Sequence, residues 1–234
     1  MNKASLPIFI AVVMLLVGLP GKSQSVRQLL SDVQTKLLQV ADYEASGVMK
    51  TNVSFLKVPV SKIKLYFKKP DLLKIRSEKG VSFVPRGAVA LNMSGLLQQG
   101  KFDVLDAGKG KHQGKEVQIV KLIPSDEEGA VLISILYIDP LEKLVMKART
   151  TTRESGTYDM EFSYGKYSNY ALPDRISFSF DAREYKLPKG ITFDFDDGKG
   201  KKISEKAEGK KKGNALIIVD RYIINKGLDA SVFK

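Results

Sequence analysis

Between Ser61 and Met93 the chain alternates apolar and basic positions in short runs. Ile63, Leu65 and Phe67 interleave with Lys62, Lys64, Tyr66 and Lys68, then Leu73 and Ile75 with Lys74 and Arg76, and Val81 and Phe83 keep the same period. A period of two sends the two sets to opposite faces of a strand. The stretch therefore predicts an antiparallel meander with one apolar and one cationic face. Lys69-Pro70-Asp71 and Glu78-Lys79-Gly80 separate the runs. Pro70 lacks a backbone donor and suits a turn or a strand edge, and Gly80 suits a hairpin position of positive φ. An amphipathic sheet must cover its apolar face with a lid, a second sheet or a ligand.

Upstream, Val26, Leu29, Leu30, Val33, Leu37 and Val40 recur at helical spacing and predict a helix over 25–40, with Ser25 as its cap and Asp42-Tyr43 as its end. A strand over 45–56 leads into the meander. Downstream, Leu91, Met93, Leu96 and Leu97 depart from the period of two and predict a second short helix over 88–99. A strand at 102–105 and a Lys/Gly-rich loop at 108–114 follow. Strands are then expected over 115–123, 130–139, 143–151, 157–164, 175–181, 191–196 and 214–224, separated by turn residues. Tyr158, Met160, Phe162 and Tyr164 share one face of their strand, as do Ile176, Phe178 and Phe180. No helix-length element lies between these strands, which excludes a parallel α/β sheet and predicts an up-and-down antiparallel sheet that curls.

The N-terminus changes the address. Lys3 precedes an unbroken apolar run from Ile8 to Val17, Gly18 to Gly21 breaks it, and Ser23 and Ser25 frame a cleavage point. Residues 1–25 read as an export signal, since the run is about half the ~20 residues that a membrane span needs. Residues 26–234 then form a single domain, soluble and periplasmic. The chain contains no cysteine, so disulfides, thiolate metal sites and a cysteine nucleophile are excluded, as is a lipid-modified N-terminal cysteine. Its single histidine, His112, falls in the predicted Lys/Gly loop and reads as surface decoration. No catalytic triad, nucleotide-binding fingerprint or metal cluster is legible, and no cofactor is expected. Asp194 to Gly198 with Glu205 approaches a calcium loop, but its glycine comes one place early. Catalysis is the least favoured class.

The net charge is +12. Such a charge favours anionic partners, and for an exported protein a membrane surface ranks ahead of nucleic acid. Seven of the sixteen residues from Gly198 to Gly213 are lysine. That composition predicts an exposed loop, with Lys210, Lys211 and Lys212 as its anionic-surface contacts.

Val60 to Arg86 also carries a resemblance. With Lys68-Lys69-Pro70-Asp71 at its centre, then Gly80 and the Pro85-Arg86 pair, it resembles the LolA/LolB-type lipoprotein-carrier family of double-membraned bacteria, and most nearly the outer-membrane lipoprotein-sorting relatives. The order of elements matches over most of the mature chain. The resemblance implies a mainly β, incompletely closed antiparallel half-barrel, with the N-terminal helix and a second short helix as its lid. It implies a periplasmic monomer that holds acyl chains of lipoproteins or other lipids in an apolar cup. An inner-membrane release complex and an outer-membrane acceptor would be its partners. Phe67, Leu73, Ile75 and Phe83, with Met160, Phe162, Phe178 and Phe180, are the candidate cup lining. From the residues alone they serve a closed core equally well. Lys69 stands where the family has an arginine that ties the sheet to the backbone of the lid helices. A lysine keeps the charge and loses the planar fork. Two other readings remain: a lipid or lipopolysaccharide sensor of the same fold, and a closed-core module that binds surfaces through its cationic loop.

Overall fold

The computed structural model describes residues 22–53, 56–57, 60–70, 72–77, 97, 102–126, 128–153, 156–181 and 212–233. A helix, α1 (Lys22–Leu38), is followed by β1 (Asp42–Val53), β2 (Leu56–Lys57), β3 (Ser61–Lys68) and β4 (Leu72–Ser77). Next come β5 (Phe102–His112), β6 (Lys115–Pro124), β7 (Val131–Asp139), β8 (Leu144–Thr152) and β9 (Gly156–Ser163). A 3-10 turn at Ser168–Tyr170, β10 (Arg175–Asp181), β11 (Lys212–Ile224) and a C-terminal 3-10 turn at Ala230–Phe233 complete the order.

The strands make one sheet in the order β4-β3-β1-β11-β10-β9-β8-β7-β6-β5, with β2 paired to β1. Its pairings are antiparallel throughout, and β4 and β5 stand at opposite edges without pairing to each other. The result is the curled antiparallel sheet that the strand pattern predicts and the half-barrel that the resemblance implies. The meander is interrupted once: β1 joins β11, so the two ends of the chain meet inside the sheet. β11 carries a bulge at Asp220, opposite Ser46/Gly47 of β1. There a Cβ on Gly47 would fall 2.1 Å from the Ile218 carbonyl oxygen, so only glycine lets the strands approach.

Alternation sorts the faces as expected over most of the sheet. Ile63, Leu65 and Phe67 point inward, and so do Tyr158, Met160 and Phe162 with Ile176, Phe178 and Phe180. α1 lays Val26, Leu30, Val33 and Leu37 against this inner face, and helix and sheet share one continuous core. The outer face is differentiated. On β8 and β9, Lys147 bonds to Glu161 at 3.1 Å and Arg149 makes a two-pronged pair with Asp159 at 2.7 and 2.8 Å. On β3, Tyr66 belongs to the outward set yet is buried, and the Arg76 guanidinium lies over its ring at 5.6 Å.

Several boundaries differ from the sequence reading. The helix starts at Lys22, which puts Ser25 inside it rather than at its cap. Asp42 and Tyr43 open β1 instead of closing the helix. Residues 108–112 belong to β5 rather than to a loop, and the reversal is the pair Gln113-Gly114. His112 therefore ends an edge strand, half-buried, with Nε2 enclosed and without a hydrogen-bond partner. Lys212 and Gly213 begin β11, so the predicted loop over 198–213 is strand at its end. Of the second predicted helix only Leu97 is described. It is helical and buried, and its carbonyl accepts from the Gln34 side chain of α1 at 2.7 Å. The remainder of that helix, the run at Val81 and Phe83, and the strand at 191–196 lie outside the described residues.

Candidate functional site

One rim of the half-barrel carries the end of α1 and the turns β3–β4, β5–β6, β7–β8 and β9–β10. It is sealed by aromatic side chains. Tyr43 packs on Phe67 at 5.3 Å between ring centroids and edge-on to Tyr222 at 5.2 Å, and Tyr222 meets Tyr167 at 5.0 Å. The Tyr222 hydroxyl donates to the Pro173 carbonyl at 2.8 Å, and that of Tyr164 to the Val145 carbonyl at 2.8 Å. Burial pushes the Tyr43 and Tyr164 phenols well above their ordinary range, and burial with neighbouring tyrosines does the same to Tyr222.

The end of α1 is clamped to this rim. A helix leaves its last carbonyls without partners in its own ladder. Here Lys69 Nζ donates to the Leu38 carbonyl, and the Asn225 amide donates to the Gln39 carbonyl at 2.8 Å. The Lys69 backbone N–H reaches the Ala41 carbonyl at 2.9 Å. Asn225 Oδ1 accepts from the Ala41 N–H at 2.7 Å, and the buried Asp42 carboxylate accepts from the N–H groups of Lys226 and Gly227 at 3.0 and 3.1 Å. Lys69 thus touches the backbone at the end of α1. The Asn225-Lys226-Gly227 segment supplies most of the clamp, which only its position in the sheet reveals.

The candidate lining runs along the inner face, with Phe67 and Leu73 at this rim and Met160, Phe178 and Phe180 toward the other. Met160 is fully buried, and Phe67, Phe162, Phe178 and Phe180 are 3–5 % exposed. Leu73 and Ile75 are partly buried against the same core. Tyr158, Phe178 and Phe180 form a chain of ring contacts at 5.2 and 5.4 Å, and Phe180 occupies the space that a side chain on Gly213 would need. Phe83, Lys210 and Lys211 lie outside the described residues. The sequence reading missed the hydroxyls set into this lining. Ser134 and Thr150 are fully buried and bond to each other at 3.0 Å across β7 and β8. Thr51, next inward position to Met49 on β1, has a buried Oγ1 without a partner.

A cleft of about 410 Å³ opens between α1 and the β5–β6 hairpin. Buried Val26 and Val117 form its floor, with Leu29 and Pro140 on the walls and Asp32, Lys109, Glu116 and Gln118 around the mouth. It leads from the surface to the seam between helix and sheet. Beside it, Asp32 pairs with Lys143 at 3.1 Å and Lys36 Nζ donates to the Glu142 carbonyl at 2.9 Å, which holds α1 to the β7–β8 turn. Among the described residues no group of three or more potential metal ligands occurs, and no helix is long and apolar enough to cross a membrane.

No family model and no curated protein matches this chain in sequence. Solved structures match it in fold. One is described as an outer membrane lipoprotein-sorting protein domain from Vibrio parahaemolyticus, with a TM-score of 0.57 and 10% identity over 90% of this chain and 97% of that one. A LolA superfamily protein from Nitrosomonas europaea gives 0.56 at 8% identity over 89% and 97%. A DUF1329 family protein from Desulfovibrio piger gives 0.55 at 14% identity over 89% and 97%. The chain thus shares its fold with these proteins, at low identity and over about 90% of its length.

Proposed function

We propose that this protein is an exported, periplasmic binder or carrier of lipidated, amphiphilic ligands, lipoproteins bound for the outer membrane first among them. Acyl chains would lie between α1 and the inner face of the sheet. The observation that carries this reading is the cover on that face. Among the described residues, an aromatic and methionine-rich sheet surface is covered by α1, pinned at its end and along one side by polar contacts, and not by a second sheet. Such a helix can be displaced without breaking a strand ladder. Each methylene buried in its place would contribute about 0.8 kcal/mol. The fold it shares with lipoprotein-sorting proteins supports the same ligand class. Signal cleavage would leave a mature chain starting between Gln24 and Val26, which spares every described buried position of α1, the first being Val26. An inner-membrane release complex and an outer-membrane acceptor would be the partners of a carrier, and the 198–213 segment would add contact with anionic lipid.

Native mass spectrometry of protein taken directly from the periplasm tests this reading. Bound acyl species on a chain that lacks Met1 to Pro20 are the expected result. Protein that is free of lipid, and stays so when offered fatty acids, would favour the second reading, a closed core. The near-complete burial of Met160 and Phe178 supports that alternative.

A further inference from the structure

The outer face of the sheet is not uniform in charge. Cross-strand register places Arg76, Lys64, Ser46 and Arg221 in one row across β4, β3, β1 and β11. Lys62 stands in the next row, level with Val48 and Ile218, and Arg175 of β10 extends that row. Lys50 follows one row further, and Lys74 lies on the other side, level with Tyr66 and Glu44. Lys50, Lys62, Lys64, Arg76, Arg175 and Arg221 are exposed. Arg76 and Lys68 also donate to the Val232 and Leu228 carbonyls of the C-terminal segment, at 3.1 and 2.6 Å, so that the open part of the array is centred on β3, β1 and β11. Acids on these rows are few: Glu44, bonded to Lys64 at 2.9 Å, and Asp220, which sits in the bulge. The contrast with β8 and β9 is internal to the molecule, since Lys147 and Arg149 there are each matched by Asp159 or Glu161.

We propose that the outer face of β4-β3-β1-β11 docks the protein on an anionic lipid bilayer. Strands lie about 4.8 Å apart and same-face residues about 6.7 Å apart along each strand. The cations therefore form a two-dimensional array across four strands. A single phosphate or carboxylate would engage only one or two of them. A continuous plane of negative head groups engages the whole array, and each Lys or Arg near such a surface strengthens binding about fivefold. The array lies on the face opposite the apolar lining, so docking leaves α1 and the cleft beside it uncovered. The inference does not depend on the acyl-binding reading.

The test compares two triple variants of the full mature chain with equal loss of charge. Lys50→Thr, Lys62→Thr and Arg221→Thr empty the array. Lys109→Thr, Lys111→Thr and Lys121→Thr remove three exposed cations from β5 and β6, far from it in strand order. Threonine keeps the strand preference, and melting curves check that both variants fold. Sedimentation with vesicles of phosphatidylcholine and phosphatidylglycerol is measured at low and physiological salt. The array variant should bind on the order of 100-fold more weakly than the wild type at low salt, while the control variant loses far less. Vesicles of phosphatidylcholine alone should bind none of the three. Equal losses in the two variants would overturn the proposal in favour of net charge alone. Wild-type protein that binds soluble polyglutamate but not the anionic vesicles would overturn it in favour of an acidic protein partner. Fatty-acid displacement on the same samples reads the cup separately, so failure there leaves the vesicle result intact.

Discussion

At the scale of single residues, two side chains make distinct demands. Lys69 holds the end of α1 through one ammonium-to-carbonyl contact with Leu38, where the helix dipole also favours a cation. An arginine could span two carbonyls with its fork, and a lysine places one point charge. Asn225 and Asp42 share the clamp, so Lys69→Leu should cost no more than about 1 kcal/mol of stability, as for a half-exposed charge. Its effect should fall on lid motion. Displacement of a fluorescent fatty acid should be faster in the variant while the melts nearly coincide. Equal displacement rates would remove Lys69 from ligand release, and a collapsed melt would make it structural. Thr51 presents the opposite case, a buried hydroxyl without a partner. Valine has the same shape and no group to leave unsatisfied. Thr51→Val should therefore raise the unfolding free energy of ligand-free protein by about 1 kcal/mol. A lower melting temperature for the variant would mean that the hydroxyl finds a partner in solution.

At the scale of elements, the β7–β8 turn shows how a short acidic signal becomes a structural device. Asp139 Oδ1 accepts from the N–H groups of Leu141 and Glu142, both at 3.0 Å, and Oδ2 from Lys115 at 3.1 Å. Burial works to raise its pKa, and the Glu142 N–H, Lys115 and Leu141 N–H outweigh it, so the carboxyl titrates below its ordinary 3.8. A depressed carboxyl stabilises the fold above the unfolded-state value and loses that contribution as pH falls through the folded one. Asp139→Asn should cost about 2 kcal/mol at neutral pH, and the gap between the two proteins should close as pH falls below 3.8. Thermal melts across that range check it, and a pH-independent gap would assign the loss to packing. This turn was legible because Asp139-Pro140-Leu141-Glu142 interrupts two clear alternations. The start of β1 was not, since its inward positions include Ala45, Gly47 and Thr51, too small or polar to mark a face. The far end of β5 was hidden for a different reason. Most of residues 105–112 are exposed at the sheet edge, so no apolar period exists to read, and glycines and lysines there look like a loop. Pairing of β1 with β11 was out of reach as well, because periodicity assigns a face and not a neighbour. The apolar faces of β3, β4, β9 and β10 were legible from their alternation. The Asn225 clamp was not, being built from turn residues that the fold brings together from opposite ends of the chain.

At the scale of the whole molecule, the open question is whether the inner face is a core or a container, and Met160 can separate the two. It is fully buried on β9, level with Phe178 of β10 and Ala148 of β8, and shares the core that α1 covers. In a closed core, Met160→Ala leaves a cavity and costs about 2–5 kcal/mol, and no added lipid restores it. In a container, an acyl chain can enter the space that the thioether vacates. Ligand that binds only the folded state stabilises it in proportion to the logarithm of its concentration over Kd. A chain that also fills the new cavity binds the variant more tightly than the wild type, so its stabilising effect is larger there. Lipid-stripped Met160→Ala should therefore melt well below the wild type. Saturating palmitate should raise both melting temperatures and narrow the gap between them. Variant and wild type that differ by the same amount with and without palmitate would mark the inner face as a closed core. In that case the helix that covers it would be an ordinary packing element rather than a lid.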